Sequence, residues 1–389
     1  MNILIVTRSL PFHQTGGMEV VAWDLARSLS LSGQNVRVLT TPAAGLSEKS
    51  VVQGVEIRTV PSRTGRYSRQ WWRGSAALYD RELSENTDIV LSVSVSANAI
   101  VELIQGRPRR PLCVMQAHGT MWGEVQSKLA QKSIKGLLSA VVTFLSGAVR
   151  DRTVSEYDAI VAIGDPVIEQ IRSPLARKYF ARVPLTLIRN GVDSASFTFD
   201  GKARSRFREM HGIDERAFVV LSLGRLHAQK GLLNALEIVE RCSAHISNLQ
   251  WIIAGDGPLE NELRARIEQS PLKRQVHLLG KVAREDVASI LSASDTLLFP
   301  TLRKEGLPVS ILEALASGLP VVTSVGGCDS SLPCQFVDKN DLEGFSKALA
   351  TALDNAGNRL SKLPAEYTLD YSTSRYVGLF EQLISSNLG

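Results

Sequence analysis

Short runs of uninterrupted apolar residues alternate along the whole chain with longer segments of helical period. In the first half, residues 2–7, 35–40, 55–60, 88–92 and 113–116 read as strands, and 155–164 and 185–193 continue the series. In the second half, 217–223, 250–254, 276–282, 296–299 and 320–323 do the same. Runs without polar alternation suit strands buried on both faces of a parallel sheet. Helical stretches lie between them. One runs from about Met18 to Leu31 and is stopped by Gly33, one follows Gly231 to about Cys242, and one begins at Glu285-Asp286. Residues 308–317 form another, with Pro308 suited to a first helical position and Gly318 then Pro320 to a stop. Residues 341–354 and 371–386 read as closing helices. The alternation predicts an α/β chain of doubly wound sheets. A length of 389 residues is long for one core, so two domains are expected, 1–193 and 194–370, with 371–389 crossing back to the first.

The pattern also says where chemistry should lie. Residues 294–327 read as strand, loop, helix, strand, which is one parallel βαβ step. Ligands of such sheets bind at the carboxyl ends of the strands, so the loop 300–307 and the following helix start are candidates. Free N–H groups and the positive dipole end suit a diphosphate there. Glu305 precedes that helix and Glu313 lies two turns on. An acid beside an anion site is unfavourable unless it binds hydroxyls, so the pair points to a nucleotide sugar. The plain alternative is a solvated loop acid and a surface helix residue. Residues 217–223 deliver a second loop, Gly224-Arg225-Leu226-His227-Ala228-Gln229-Lys230-Gly231. Arg225 and Lys230 can hold both phosphates and neutralise charge on a leaving group. In the first half, Gly16 and Gly17 open a helix and let a ligand approach the backbone, although a flexible turn explains them equally. His118-Gly119 follows residues 113–116 at a strand's carboxyl end, where a histidine can donate to a sugar hydroxyl or stabilise charge.

Composition narrows the classes. Hydrophobic content of 44% and charged content of 21% are ordinary for a globular protein. The net charge of +5 suits acidic substrates or an anionic surface. There is no zinc-finger spacing, RNP motif or basic heptad region to indicate nucleic acid. Cys113, Cys242, Cys328 and Cys334 form no metal or redox motif, and a reducing compartment follows. With no signal-peptide core and no run of about 18 apolar residues, a cytoplasmic chain is expected. Residues 134–149 are apolar and flanked by Lys128, Lys132, Lys135, Arg150 and Arg152. They read as a core helix with basic ends, or as a helix lying on an anionic membrane face. Arg58, Arg63, Arg66, Arg69 and Arg73, interleaved by Tyr67, Trp71 and Trp72, read as an acceptor-facing loop or a solvated face.

Taken together, the motifs resemble those of retaining glycosyltransferase family 4. Gly16-Gly17-Met18-Glu19 resembles its Gly-Gly-x-Glu loop, and Asn190-Gly191-Val192-Asp193 with Phe197 its interdomain segment. Gly224-Arg225-Leu226 with Lys230-Gly231 resembles its phosphate loop. Glu305 and Glu313 stand eight apart, as in its Glu-x7-Glu pair, and Ala314 to Val322 continues the likeness. The resemblance implies a GT-B fold, two Rossmann-like β/α/β domains facing a deep interdomain cleft. It implies that Arg225 and Lys230, with Gly17 and Leu307, bind the donor diphosphate, and that Glu313 binds the ribose. Glu305 and His118 are the candidate catalytic residues at the transferred sugar, with Gly16, Gly17, Gly306 and Asn190 on the sugar and acceptor side. Transfer would retain configuration by front-face departure of the diphosphate, with no metal and no cofactor beyond the donor. The expected donor is UDP-glucose or a related UDP-sugar. The expected acceptor is a saccharide or lipid-linked saccharide of surface polysaccharide assembly, met at the membrane's inner face. Alternatives are a GDP-sugar (mannosyl)transferase, a GT-B epimerase and a non-catalytic nucleotide-sugar sensor. Pro308, where relatives often carry glycine, removes one N–H from the helix entrance.

Overall fold

The computed structural model describes residues 1–13, 16–62, 67–120, 125, 151–357 and 359–387. The apolar segment 134–149, Arg63 and Arg66 lie outside them. The chain divides into two compact units, Met1–Gly191 with Leu369–Gly389, and Val192–Thr368.

In the first unit the strands are β1 (Asn2–Val6), β2 (Asn35–Thr40), β3 (Lys49–Val52), β4 (Val55–Thr59), β5 (Ile89–Val93), β6 (Leu112–Ala117), β7 (Ala159–Ala162) and β8 (Leu185–Leu187). Among the described residues they form one eight-stranded sheet ordered β3-β4-β2-β1-β5-β6-β7-β8. Every pair is parallel except β3 with β4. The side-chain period of two feeds both faces. Ile3 and Ile5 enter one core, and Leu4 and Val6 the other. Each such fully buried side chain is worth roughly 1.5–3 kcal/mol, which is why these runs lack polar alternation. The sheet reverses direction between β1 and β5, the place where such sheets bind ligands.

The helix Leu369–Asn387 belongs to this unit. Tyr376 and Phe380 are buried in the core that contains Ile3, Leu25 and Leu29. Thr373 Oγ1 donates to Ser28 Oγ at 2.8 Å, pinning this helix to Gly17–Leu31.

The second unit holds β9 (Phe218–Leu223), β10 (Leu249–Ala254), β11 (Val276–Gly280), β12 (Thr296–Phe299), β13 (Val321–Ser324) and β14 (Gln335–Val337). The order is β11-β10-β9-β12-β13-β14, all parallel, with the reversal between β9 and β12. Asp295 fixes the amino end of β12. It accepts from Arg208 at 2.8 Å, from Arg204 at 3.0 Å and from the Val219 N–H at 2.8 Å. Val219 lies in β9, so one buried carboxylate sets β12 beside it.

Most expected strands fall within a residue or two of their places. Pro308 does not. Its ψ of 121° leaves it extended, and the helix is Val309–Ala316. The antiparallel edge β3 and the three-residue β14 carry too few apolar residues to stand out in the sequence. Among the described helices, Gly201–Met210 is almost wholly polar outside its contact face and was likewise not signalled.

Candidate functional site

The two loops expected to carry chemistry in the second unit meet at the reversal of its sheet. The loop after β9 turns through a 3₁₀ segment, Ala228–Lys230. Its Gln229 carbonyl accepts from the Leu302 N–H at 2.9 Å and from Thr301 Oγ1 at 3.1 Å, tying it to the loop after β12. Gly231 makes this approach possible. Its φ is +70°, and a Cβ there would stand 2.0 Å from the Pro300 carbonyl oxygen. We expect Gly231→Ala to cost about 2–3 kcal/mol, from left-handed strain of about 1–2 kcal/mol plus displaced backbone. Urea unfolding measures it, and wild-type stability would show that the loops yield freely.

Arg225 and Lys230 line one cavity with Gly224, Phe299 and Pro300. Arg225 is exposed, and the Lys230 ammonium lies 4.9 Å from the Phe299 ring centre. A further turn supports this loop from behind. Gly224 N–H donates to Ala254 O at 2.9 Å, and Leu226 N–H to Asp256 O at 2.7 Å. A Cβ on Gly255 would meet the Gly224 oxygen at 1.9 Å, and one on Gly257 the Leu226 oxygen at 2.4 Å.

Glu305 is buried, with 4% of its surface exposed. Lys230 Nζ donates to its Oε1 at 2.9 Å, and Thr301 Oγ1 to the same oxygen at 3.0 Å. Arg303 donates to Oε2 at 2.9 Å. The Glu305 N–H donates to Gly326 O at 3.0 Å, which fixes the backbone as well. Burial raises the carboxyl's pKa, but Lys230 and Arg303 outweigh it and hold the group below the ordinary glutamate value. Glu305 is therefore a carboxylate at neutral pH. Three of its roughly four acceptor positions are taken, and the open one is on Oε2.

Glu313 is also buried, at 3% exposure, in the helix Val309–Ala316. It is ion-paired with Arg284, whose guanidinium lies 4.9 Å from the Phe197 ring centre. Thus Lys230 and Glu305 are in direct contact, Arg225 shares their loop and cavity, and Glu313 pairs with a different cation. Leu307 is buried beside the helix start and Gly306 half-buried. Among the described residues no cluster of three histidine, cysteine or acidic side chains is placed to hold a metal ion.

In the first unit, Gly16 caps the helix Gly17–Leu31. The Glu19 carboxylate fills the space of the missing side chain: a Cβ on Gly16 would lie 2.3 Å from Glu19 Oε2. Ser9 Oγ donates to the other oxygen at 2.7 Å. Ser94, after β5, holds φ +53°, a conformation that costs a non-glycine residue energy and occurs beside the sheet reversal. His118 is half-buried after β6, and burial pushes its imidazole down to about 4. It is neutral at pH 7, so it cannot stabilise charge as a cation. Its Nε2 lies 2.8 Å from Gln116 Oε1. Asn190 is buried, its N–H donating to Ile163 O at 3.2 Å. Arg189 is ion-paired with Asp165 at 2.7 Å, which accounts for a basic residue at that place. Of the basic aromatic stretch, Trp71 is fully buried, while Tyr67 and Trp72 stack with ring centres 5.0 Å apart.

Sequence reasoning missed Arg303, Thr301, Arg284, the Gly255-Asp256-Gly257 turn and Gln116. Only the turn had a signal, two glycines flanking an aspartate after a strand.

The model for "Glycosyltransferase Family 4" matches residues 15–196, and that for "Glycosyl transferases group 1" matches residues 203–364. The chain belongs to glycosyltransferase family 4. Among the relatives of this family 4 chain is the UDP-Gal:alpha-D-GlcNAc-diphosphoundecaprenol alpha-1,3-galactosyltransferase of Escherichia coli. It is 31% identical over 185 residues, 46% of this chain and 47% of that protein. The chain thus spans about half the length of that relative. Among solved structures, a sucrose-phosphate synthase from Thermosynechococcus elongatus matches with a TM-score of 0.76 at 15% identity, covering 99% of each chain. HepE of Anabaena, in complex with UDP and glucose, matches with 0.65 at 17% identity over 100% of this chain and 99% of that one. These likenesses show that the family 4 chain has the GT-B fold.

Proposed function

We propose that the chain transfers a hexose from a UDP-sugar, UDP-glucose or a close relative of it, to a saccharide or lipid-linked acceptor, with retention of configuration. The observation that carries the proposal is the buried Glu305–Lys230 ion pair, set beside Arg225 at the sheet reversal. Arg225 and Lys230 bind the diphosphate. Lys230 has three donors, so it can hold Glu305 and a phosphate oxygen at once. As the bond from the anomeric carbon to the phosphate oxygen breaks, the two cations offset the charge that grows on that oxygen, with no metal needed. The acceptor oxygen attacks the same face, and its proton passes to the departing phosphate. Glu305 offers its open Oε2 position to a hydroxyl of the transferred sugar. A carboxylate stabilised by two cations is a poor nucleophile, which favours this positioning role over a covalent one. Glu313 binds the ribose, exchanging its contact with Arg284.

The reading draws support from relatives. The E. coli galactosyltransferase is named for a UDP-sugar donor and a diphosphoundecaprenol acceptor, and HepE was solved with UDP and glucose. In this reading the chain works in the cytoplasm, at the membrane's inner face, in assembly of a surface polysaccharide.

A panel of UDP-, GDP- and ADP-sugars, scored by thermal shift and nucleotide release, tests the proposal. A ligand that binds only the folded state stabilises it by RT ln(1+[L]/Kd). UDP-hexoses should rank first. A GDP-sugar ranking first would overturn the base assignment, and no nucleotide release from any donor would overturn transfer. Arg225→Ala should weaken UDP binding by about 10–100-fold, the loss of a charge-assisted hydrogen bond of about 1.5–3 kcal/mol. Unchanged affinity by calorimetry would remove Arg225 from the diphosphate site.

A further inference from the structure

His118 is connected to a residue far along the chain. Tyr376, on the helix Leu369–Asn387, is 1% exposed. The Gln116 side-chain amide donates to its hydroxyl at 2.8 Å. The carboxamide's other end faces His118, with Gln116 Oε1 2.8 Å from His118 Nε2. Gln116 is 1% exposed and sits in β6, so its amide has no access to bulk water. A carboxamide has one donating and one accepting end. Once the donating end is committed to Tyr376, the oxygen is committed to His118. An oxygen can only accept, so His118 Nε2 must carry the proton and Nδ1 must present a lone pair. Burial keeps the ring neutral, and a neutral imidazole has one nitrogen of each kind. The hydrogen-bonded partner of one ring nitrogen decides the state of the other.

We propose that Tyr376 and Gln116 act as positioning residues that hold His118 in the Nε2–H tautomer, so that Nδ1 accepts a hydrogen bond from a ligand hydroxyl. This inverts the donor role expected from the sequence. The substrate chemistry rests on the proposed sugar transfer, but the tautomer assignment does not. Removing the Tyr376 hydroxyl frees the Gln116 amide to turn over, present its NH₂ to Nε2 and move the ring proton to Nδ1.

Ring-nitrogen NMR of the full chain, labelled at histidine, tests the tautomer directly. In the wild type His118 should show a protonated Nε2 and a bare Nδ1. In Tyr376→Phe it should show a mixture, and the same mixture in Gln116→Leu. The double variant should match Gln116→Leu, because Tyr376 acts only through Gln116. A bare Nε2 in the wild type would overturn the proposal. So would a Tyr376→Phe spectrum identical to wild type, or a Tyr376 effect that persists without Gln116. Should Tyr376→Phe melt early, Gln116→Leu alone still decides it, since an unchanged His118 there also overturns the relay. Kinetics add a second arm. On a UDP-sugar that the wild type turns over, Tyr376→Phe should lower kcat roughly tenfold with KM nearly unchanged, as expected for a contact made in the transition state. A rise in KM alone would assign the chain to binding. If the wild type turns over no sugar nucleotide, the NMR result stands and only the transfer reading falls.

Discussion

Glu305→Ala is expected to lower sugar transfer on the order of 10³-fold while the fold survives. The substitution removes the one carboxylate that Lys230, Arg303 and Thr301 jointly orient. Losing a single preorganised group at the reacting centre typically costs 10²–10³-fold, and Lys230 would lose the anchor that aims it at the diphosphate. The energetic cost to folding should be smaller. Lys230 and Arg303 keep 25% and 44% of their side-chain surface exposed, so both can turn to water once Glu305 is gone. A stability loss of about 1 kcal/mol is expected, in the range of partly exposed pairs. Glu305→Gln keeps the shape and loses the charge, and should fall between the two. Initial rates of UDP release and circular dichroism together decide the matter. A folded Glu305→Ala within threefold of wild-type rate would end the assignment.

The opposite balance is expected at Asp295. Asp295→Ala should destabilise the second unit by about 3–5 kcal/mol, the usual cost of leaving a buried charge without its partner. Arg208 is fully buried at 0% exposure, so its guanidinium cannot relax into water. Its other donors bind the carbonyls of Ala293, Asp214, Glu215 and Ala217, which offset part of the desolvation but none of the charge. Burial already lowers its pKa, with Asp295 opposing. The Val219 N–H would also lose its acceptor. Because β12 is held beside β9 from this end, the loops at the other end should loosen together, and nucleotide affinity should fall with stability. Scanning calorimetry with and without UDP measures both. A loss below about 1 kcal/mol would show that the Arg208 cage is self-sufficient.

The sequence made the strands legible because each needs apolar residues on both faces. Glu305, Lys230 and Arg225 were legible too, since a loop between a buried strand and a helix start has a known position in this sheet type. What stayed hidden were contacts made across the sequence. Gln116 and Tyr376 are 260 residues apart, and no local pattern marks either. Arg303 is two residues from Glu305, yet a loop arginine reads as solvated until its rotamer is seen. Pro308 followed a positional rule that holds for most helix starts, but its ψ angle was set by the turn before it. Glu313's pairing with Arg284 depends on the packing of two separate helical segments and lies beyond periodicity.

The first unit is assembled from two separated stretches of chain, with Tyr376 and Phe380 closing a core that begins at Ile3. During synthesis this has a cost in time. At roughly 5–20 residues per second, the ribosome needs on the order of ten seconds or more to make Val192–Thr368, during which the surface awaiting Tyr376 and Phe380 stays uncovered. The second unit is continuous and can fold as it emerges. A nascent chain stalled before residue 369 should therefore carry a folded second unit and a first unit that chaperones still bind, whereas one released after residue 387 should carry neither liability.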